Sequence, residues 1–315
     1  VTDPAALPAA RKLVSRTLAA AEKAAARYRG DAELHKLYRA GGREITISPV
    51  LADLIAAALV AAERTDGDVD PTVGAAMTAV HSGRRPCSQD HSGLPACGSR
   101  PTSRPVPGWQ QVHLQGRRLQ VPIGTTLDLS ATAKGVACDR AAAVVRDRLD
   151  VGVLVGLGSD AASAGPAPDG GWVVTINDRT GERSTSVQLP AGAALATSHF
   201  TARGLGSARS GSAPGELPGH LIDPRTGRAP VQVWRMVSAI GFSSLEASTY
   251  TAAALIRGTS ARSWLNQLGV PARMITSQDD VITVGPWNSH EPGSAAGSTS
   301  QLPVPRVANP RRTSL

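Results

Sequence analysis

Apolar residues recur at helical spacing from Ala9 to Tyr28, where Leu13, Leu18, Ala21, Ala25 and Tyr28 are separated by charged positions. That period predicts an amphipathic helix, closed by Gly30 and Asp31. A second pattern runs from Pro49 to Arg64, with Leu51, Leu54, Ile55, Ala58, Leu59 and Ala62 on one face and Ser48 placed as its N-cap. After Gln111 the pattern changes. Val112 to Leu114 and Arg118 to Val121 read as short strands, and a helix opens at Thr126 to Ser130 and runs to roughly Leu149. Gly152 to Leu157 is a continuous apolar strand, and Gly171 to Asn177 alternates as its expected partner, with Gly165-Pro166 and Asp169-Gly170-Gly171 as turn signals between them. The segment Ala193 to Thr197, a strand from Trp234 to Ile240, helices at Glu246 to Arg257 and Ala261 to Leu268, and a strand pair at Ala272 to Ile275 and Val281 to Val284 complete a mixed α+β pattern without internal repeats.

Residues 81–108 are rich in Arg, Ser, Gly and Pro and read as an irregular insertion. Everything after Pro286 reads as a disordered polar tail, which leaves residues 1–285 as the folded part. The chain of 315 residues has ample material for a buried core. Its net charge of +8 raises the question of nucleic acid, but the cations are scattered and aromatics make up only 3%, so no basic stripe or stacking platform forms and nucleic acid is not an expected partner. No stretch has the apolar length of a membrane span, so the chain as it stands reads as soluble and cytoplasmic. If an N-terminal signal has been removed, the alternative is an extracytoplasmic, membrane-associated protein. Cys138 falls in a helical stretch and is expected to be a buried thiol, while Cys87 and Cys97 sit in the Pro/Gly/Ser-rich insertion.

Four segments carry candidate chemistry. Asp66, Asp68 and Asp70 alternate as in a calcium loop, but the later ligands and closing glutamate are missing. The run from Gly67 to Gly74 instead contains a rigid Asp-Pro turn with accessible backbone, which as a bare pattern reads first as a structural turn and second as a bed for a flat ring or ribose. Ser130 to Gly135 stands where a strand hands over to a helix. Backbone N–H groups and Lys134 converge there, as an anionic phosphate would need, although a simple capped helix start explains the same residues. Gly156 to Asp160 ends an apolar strand in glycines, yet no helix pattern follows, which argues against a Rossmann unit and leaves a glycine-lined strand end beside a flat ligand as the functional alternative. Finally, Gly219 to Gly227 sets His220 beside an Asp-Pro turn and Arg225, a grouping suited to acid/base or phosphate-binding work.

Taken in order, Asp70 to Gly74, Asp128 to Gly135, Gly158-Ser159-Asp160 and His220 to Gly227 resemble four successive motifs of the ApbE family, over about Asp3 to Gly285. The resemblance implies a two-subdomain, T-fold-like α+β architecture with mixed sheets flanked by helices. It also implies a FAD:protein FMN transferase that cleaves FAD with the help of Mg²⁺, moves FMN to a threonine or serine hydroxyl of a target flavoprotein and releases AMP. By position, Tyr28, Asp68, Val69, Asp70, Asp128, Lys134 and Ile222 would line the FAD site, and His220 would be the acid/base group. The metal ligands would be the Ala131 carbonyl with Ser248 and Thr251. Here the chain departs from the family, for Ser248 stands where relatives keep a carboxylate. A neutral hydroxyl binds magnesium weakly, so an FAD-binding homologue with weak or no transferase activity is the alternative.

Overall fold

The computed structural model describes residues 1–26, 29–82, 105–106, 108–177, 184–200, 221–287 and 289–290. The insertion from 83 to 104, with Cys87 and Cys97, and the segment from 291 to 315 lie outside them.

The N-terminal half is helical around a small sheet. Helix α1 (Leu7–Ala25), α2 (His35–Ala40), strand β1 (Ile45–Thr46) and α3 (Pro49–Arg64) lead to α4 (Gly74–Ser82), and β2 (His113–Gln115) and β3 (Arg118–Gln120) close a three-stranded sheet with β1. Helix α3 keeps its predicted bounds, because the Ser48 Oγ accepts a hydrogen bond from the Leu51 N–H at 3.2 Å while Leu51, Leu54 and Ile55 are buried against the β3 residue Leu119. Each such side chain contributes about 1.5–3 kcal/mol on leaving water, so cap and core specify the same helix.

Helix α5 (Ala133–Leu149) opens the second half, followed by β4 (Val153–Leu157), β5 (Asp160–Ala164), β6 (Trp172–Asn177), β7 (Ser184–Leu189), β8 (Ala194–His199) and β9 (Trp234–Gly241). Then come α6 (Ser244–Arg257), α7 (Ala261–Leu268), β10 (Ala272–Thr276), β11 (Val281–Val284) and β12 (Ser289–His290). A six-stranded antiparallel sheet runs in the order β11-β10-β9-β8-β5-β4, and a second, three-stranded sheet runs β12-β7-β6. Alternation along β9 builds both layers. Val237 and Ala239 face the α6 residues Ala254 and Leu255, whereas Met236 and Ile240 face the small sheet through Val187 and Leu189.

Three sequence expectations need correction. Strand β6 pairs with β7, not with β4, whose partner is β5. The Asp160–Ala164 run holds only small residues after its aspartate and has no alternation to reveal it as a strand. Helix α5 starts at Ala133 rather than within Thr126 to Ser130, because the Asp128 carboxylate accepts the Ser130 N–H at 2.8 Å and holds that stretch as a turn. The tail does not begin at Pro286, since Trp287 is buried with Met236 and Ile275, and β12 pairs with β7.

As expected, Cys138 is a buried free thiol. It donates to the Val155 carbonyl at 3.2 Å, and burial pushes it up to about 12. No helix among the described residues is long and apolar enough to cross a membrane.

Candidate functional site

The site is assembled from the turn after α3 and the turn before α5. Thr65, completely buried, donates to the Ala61 carbonyl at 2.8 Å and accepts from the Val69 N–H at 3.1 Å, which folds the chain back through Asp66 and Gly67, both left-handed at φ 53° and 84°. The Asp70 Oδ1 then accepts from the Thr72 N–H and hydroxyl, both at 2.7 Å, so one carboxylate oxygen fixes the Asp-Pro-Thr turn. Its Oδ2 accepts from the Trp109 N–H at 3.0 Å, and the Thr72 hydroxyl accepts from the Gly108 N–H at 3.1 Å. The two turns are joined directly. The Asp128 N–H donates to the Pro71 carbonyl at 2.7 Å and the Gly74 N–H to the Thr126 carbonyl at 3.0 Å.

Between them lies a cleft whose walls include Asp68, Val69, Asp70, Asp128, Ala131 and Ile222. These six positions are scattered over the sequence and were expected at one site; the fold brings them to one place. Lys134, in the first turn of α5, follows Ser130, Ala131 and Thr132 of the cleft wall and donates to the Ser159 hydroxyl at 3.1 Å; Thr132 provides no side-chain cap, and the Ala133 N–H donates to the Leu129 carbonyl at 2.7 Å. Ser248 and Thr251 lie on α6, with the Ser248 hydroxyl against the Gly135 backbone. Tyr28 and His220 fall outside the described residues, although Leu221 and Ile222, which follow His220, both line the cleft.

Of the two cations that hold this cleft, sequence reasoning missed Arg257. Asp68 is buried in its wall and bonds to Arg257 at the end of α6, whose Nη2 also donates to the Thr65 carbonyl at 3.0 Å. The Arg257 guanidinium stacks on Trp264 with its carbon 4.2 Å from the ring centre. Arg225 reaches Asp68 at 3.5 Å and Asp223 at 2.8 Å. Burial pushes the Asp68 carboxyl above its ordinary range, against the pull of the arginines, and the Asp223 hydrogen bond raises Arg225. Arg225 was legible as part of the Asp-Pro-Arg-Thr-Gly turn. Nothing near Arg257 in sequence points to Asp68, 189 residues away.

Fold and cleft together define a class: an α+β protein with an antiparallel sheet, a rigid acidic turn and a helix start without a side-chain cap around one cleft. Known proteins of this build agree. The ApbE family profile matches residues 2–274, and the chain belongs to that family. It is 26% identical over 247 residues to the FAD:protein FMN transferase of Salmonella typhimurium, covering 74% of this chain and 67% of the relative, and equally identical over 246 residues to that of Escherichia coli. In three dimensions it is similar to the ApbE protein of Thermotoga maritima (TM-score 0.70, 20% identity, 88% of this chain and 89% of that one). It is likewise similar to the flavinyl transferase ApbE of Pseudomonas stutzeri (TM-score 0.68, 19% identity, 88% and 86%).

Proposed function

We propose that this chain is a FAD:protein FMN transferase, binding FAD in the cleft and moving FMN to a threonine or serine hydroxyl of an acceptor flavoprotein. The observation that carries this reading is the joining of the Asp70 and Asp128 turns, motifs far apart in sequence, by the Asp128 to Pro71 hydrogen bond at the cleft wall. The acceptor hydroxyl oxygen attacks the FMN phosphorus, and the bond from that phosphorus to the bridging oxygen breaks. AMP leaves with the bond electrons, and the hydroxyl proton passes to a base. His220 takes the role of that base in this reading, on the strength of its place beside Leu221 and Ile222; Tyr28 is assigned to the FAD pocket by its motif position alone. Val69 and Ile222 supply apolar wall, Asp68, Asp70 and Asp128 supply acceptors, and Lys134 supplies a cation for the diphosphate.

The expected magnesium ligands fit less well. The Ser248 hydroxyl donates to the Leu245 carbonyl at 3.1 Å, and the fully buried Thr251 hydroxyl lies 3.0 Å from the Ser248 carbonyl and 2.8 Å from the Ser198 hydroxyl. Together with the Ala131 carbonyl these are uncharged donors, and no group of three or more acidic, histidine or cysteine side chains suited to a metal occurs among the described residues. Magnesium sites are built on one or two carboxylates, so this set does not fit a resident ion. That donor set also favours a second reading, an FAD-binding homologue with weak or no transfer.

A transfer assay with FAD, an acceptor peptide and graded Mg²⁺ separates the two. Wild type is expected to transfer slowly and only at high Mg²⁺, and Ser248→Asp to lower the Mg²⁺ requirement about tenfold, ~1.4 kcal/mol. Full-speed transfer by wild type in low Mg²⁺, unchanged in Ser248→Asp, would show that the ion is held elsewhere. FAD binding with no transfer in either protein would establish the second reading.

A further inference from the structure

The Gly158-Ser159-Asp160 segment contributes nothing to the cleft wall, yet it places a carboxylate where the fold has no use for one. Asp160 opens β5 opposite Ala196 and is followed by Ala161 and Ala162, so packing at this point of the sheet asks only for a small apolar residue. Its side chain is 3% exposed. Oδ1 lies 3.4 Å from the Ser159 hydroxyl, while the buried Oδ2 has no hydrogen-bond partner and faces the Lys134 ammonium at 3.5 Å. The ammonium donates to the Ser159 hydroxyl at 3.1 Å. Lys134 is itself half-exposed, and an ion pair with one exposed member adds little to stability. A buried, half-satisfied carboxylate is therefore kept at a cost that its contribution to folding does not offset.

We propose that Asp160 is a positioning residue for Lys134: with Ser159 it fixes the ammonium at the first turn of α5, beside the cleft, in place to meet the diphosphate of the flavin dinucleotide. This rests on the FAD reading above. A free lysine has four rotatable bonds and spreads its charge over a wide arc. Anchored on two sides, the ammonium is held over the turn between β4 and β5, from a residue two positions along the chain from Thr132 of the cleft wall. An arriving phosphate then meets a preformed cationic corner, without the cost of ordering the lysine. Burial raises the Asp160 carboxyl above its ordinary range and Lys134 draws it back, so the two charges depend on one another.

The test is equilibrium titration with FAD and with riboflavin, which carries the ring and no phosphate, followed by flavin fluorescence. Asp160→Asn is expected to weaken FAD about tenfold and to leave riboflavin unchanged. In a Lys134→Met background the same substitution should cost nothing more, because the lysine it positions is gone. Ser159→Ala should show the same selectivity at about threefold, and it decides the matter if Asp160→Asn fails to fold. Equal weakening of FAD and riboflavin, an unchanged FAD affinity, or full additivity with Lys134→Met would overturn the proposal. If wild type binds riboflavin but gains nothing from the phosphates of FAD, the positioning role falls while a flavin site stands. If it binds neither, the FAD reading itself fails.

Discussion

Arg257→Met is expected to destabilise the protein by about 3 kcal/mol, because it leaves the Asp68 carboxylate buried with only Arg225 nearby. Methionine keeps much of the contact with Trp264, so the loss reports the charge rather than the packing. The variant should melt about 6–10 °C lower at neutral pH. Asp68 also fixes the sign of the pH dependence. Its folded-state pKa is raised, so its contribution to stability is complete below the ordinary carboxylate value of 3.8 and is lost as pH rises through the folded value. Removing Arg257 pushes that value further up and widens the window. The difference between variant and wild type should therefore shrink on acidification, as Asp68 takes up a proton in both. Melting curves at acidic and neutral pH check this, and a difference independent of pH would show that Asp68 does not depend on Arg257.

Gly74→Ala should damage the site more selectively. Gly74 has ordinary helical backbone angles, so what it supplies is absence of a side chain: an added Cβ would lie 2.4 Å from the Thr126 carbonyl oxygen and 2.7 Å from its carbon. Both are main-chain atoms that cannot rotate away. The turn carrying Asp70 must then separate from the loop carrying Asp128, breaking the hydrogen bonds that join them. Overpacking of this kind costs about 1–3 kcal/mol, and FAD affinity is expected to fall by about tenfold or more as the cleft wall splits. An Ala variant with wild-type FAD affinity would mean that the two turns do not need their close approach.

What the sequence made legible follows from how local the causes are. Helix α3 was readable to the residue, since its Ser48 cap and its buried face lie within the helix and its boundary. The β10–β11 hairpin was readable for the same reason, being a pairing between neighbours in sequence. Strand β5 was not, for its residues are small and its partners β4 and β8 follow from the topology of the sheet. At the site, the Asp70 turn and the Asp128 loop were visible as motifs, but their joining through Pro71 and Thr126 is tertiary. The Asp68 to Arg257 bond is more remote still. It depends on α6 crossing behind the acidic turn, which no local pattern encodes.

The cleft between these turns must be a flavin dinucleotide site for the transferase reading to hold. Titrating the wild-type chain with FAD and following flavin fluorescence tests that most directly. Saturable binding at micromolar protein, weakened by Asp70→Asn and Asp128→Asn variants that remain folded, is the predicted result. No change in flavin fluorescence at that concentration, or binding indifferent to both substitutions, would contradict it.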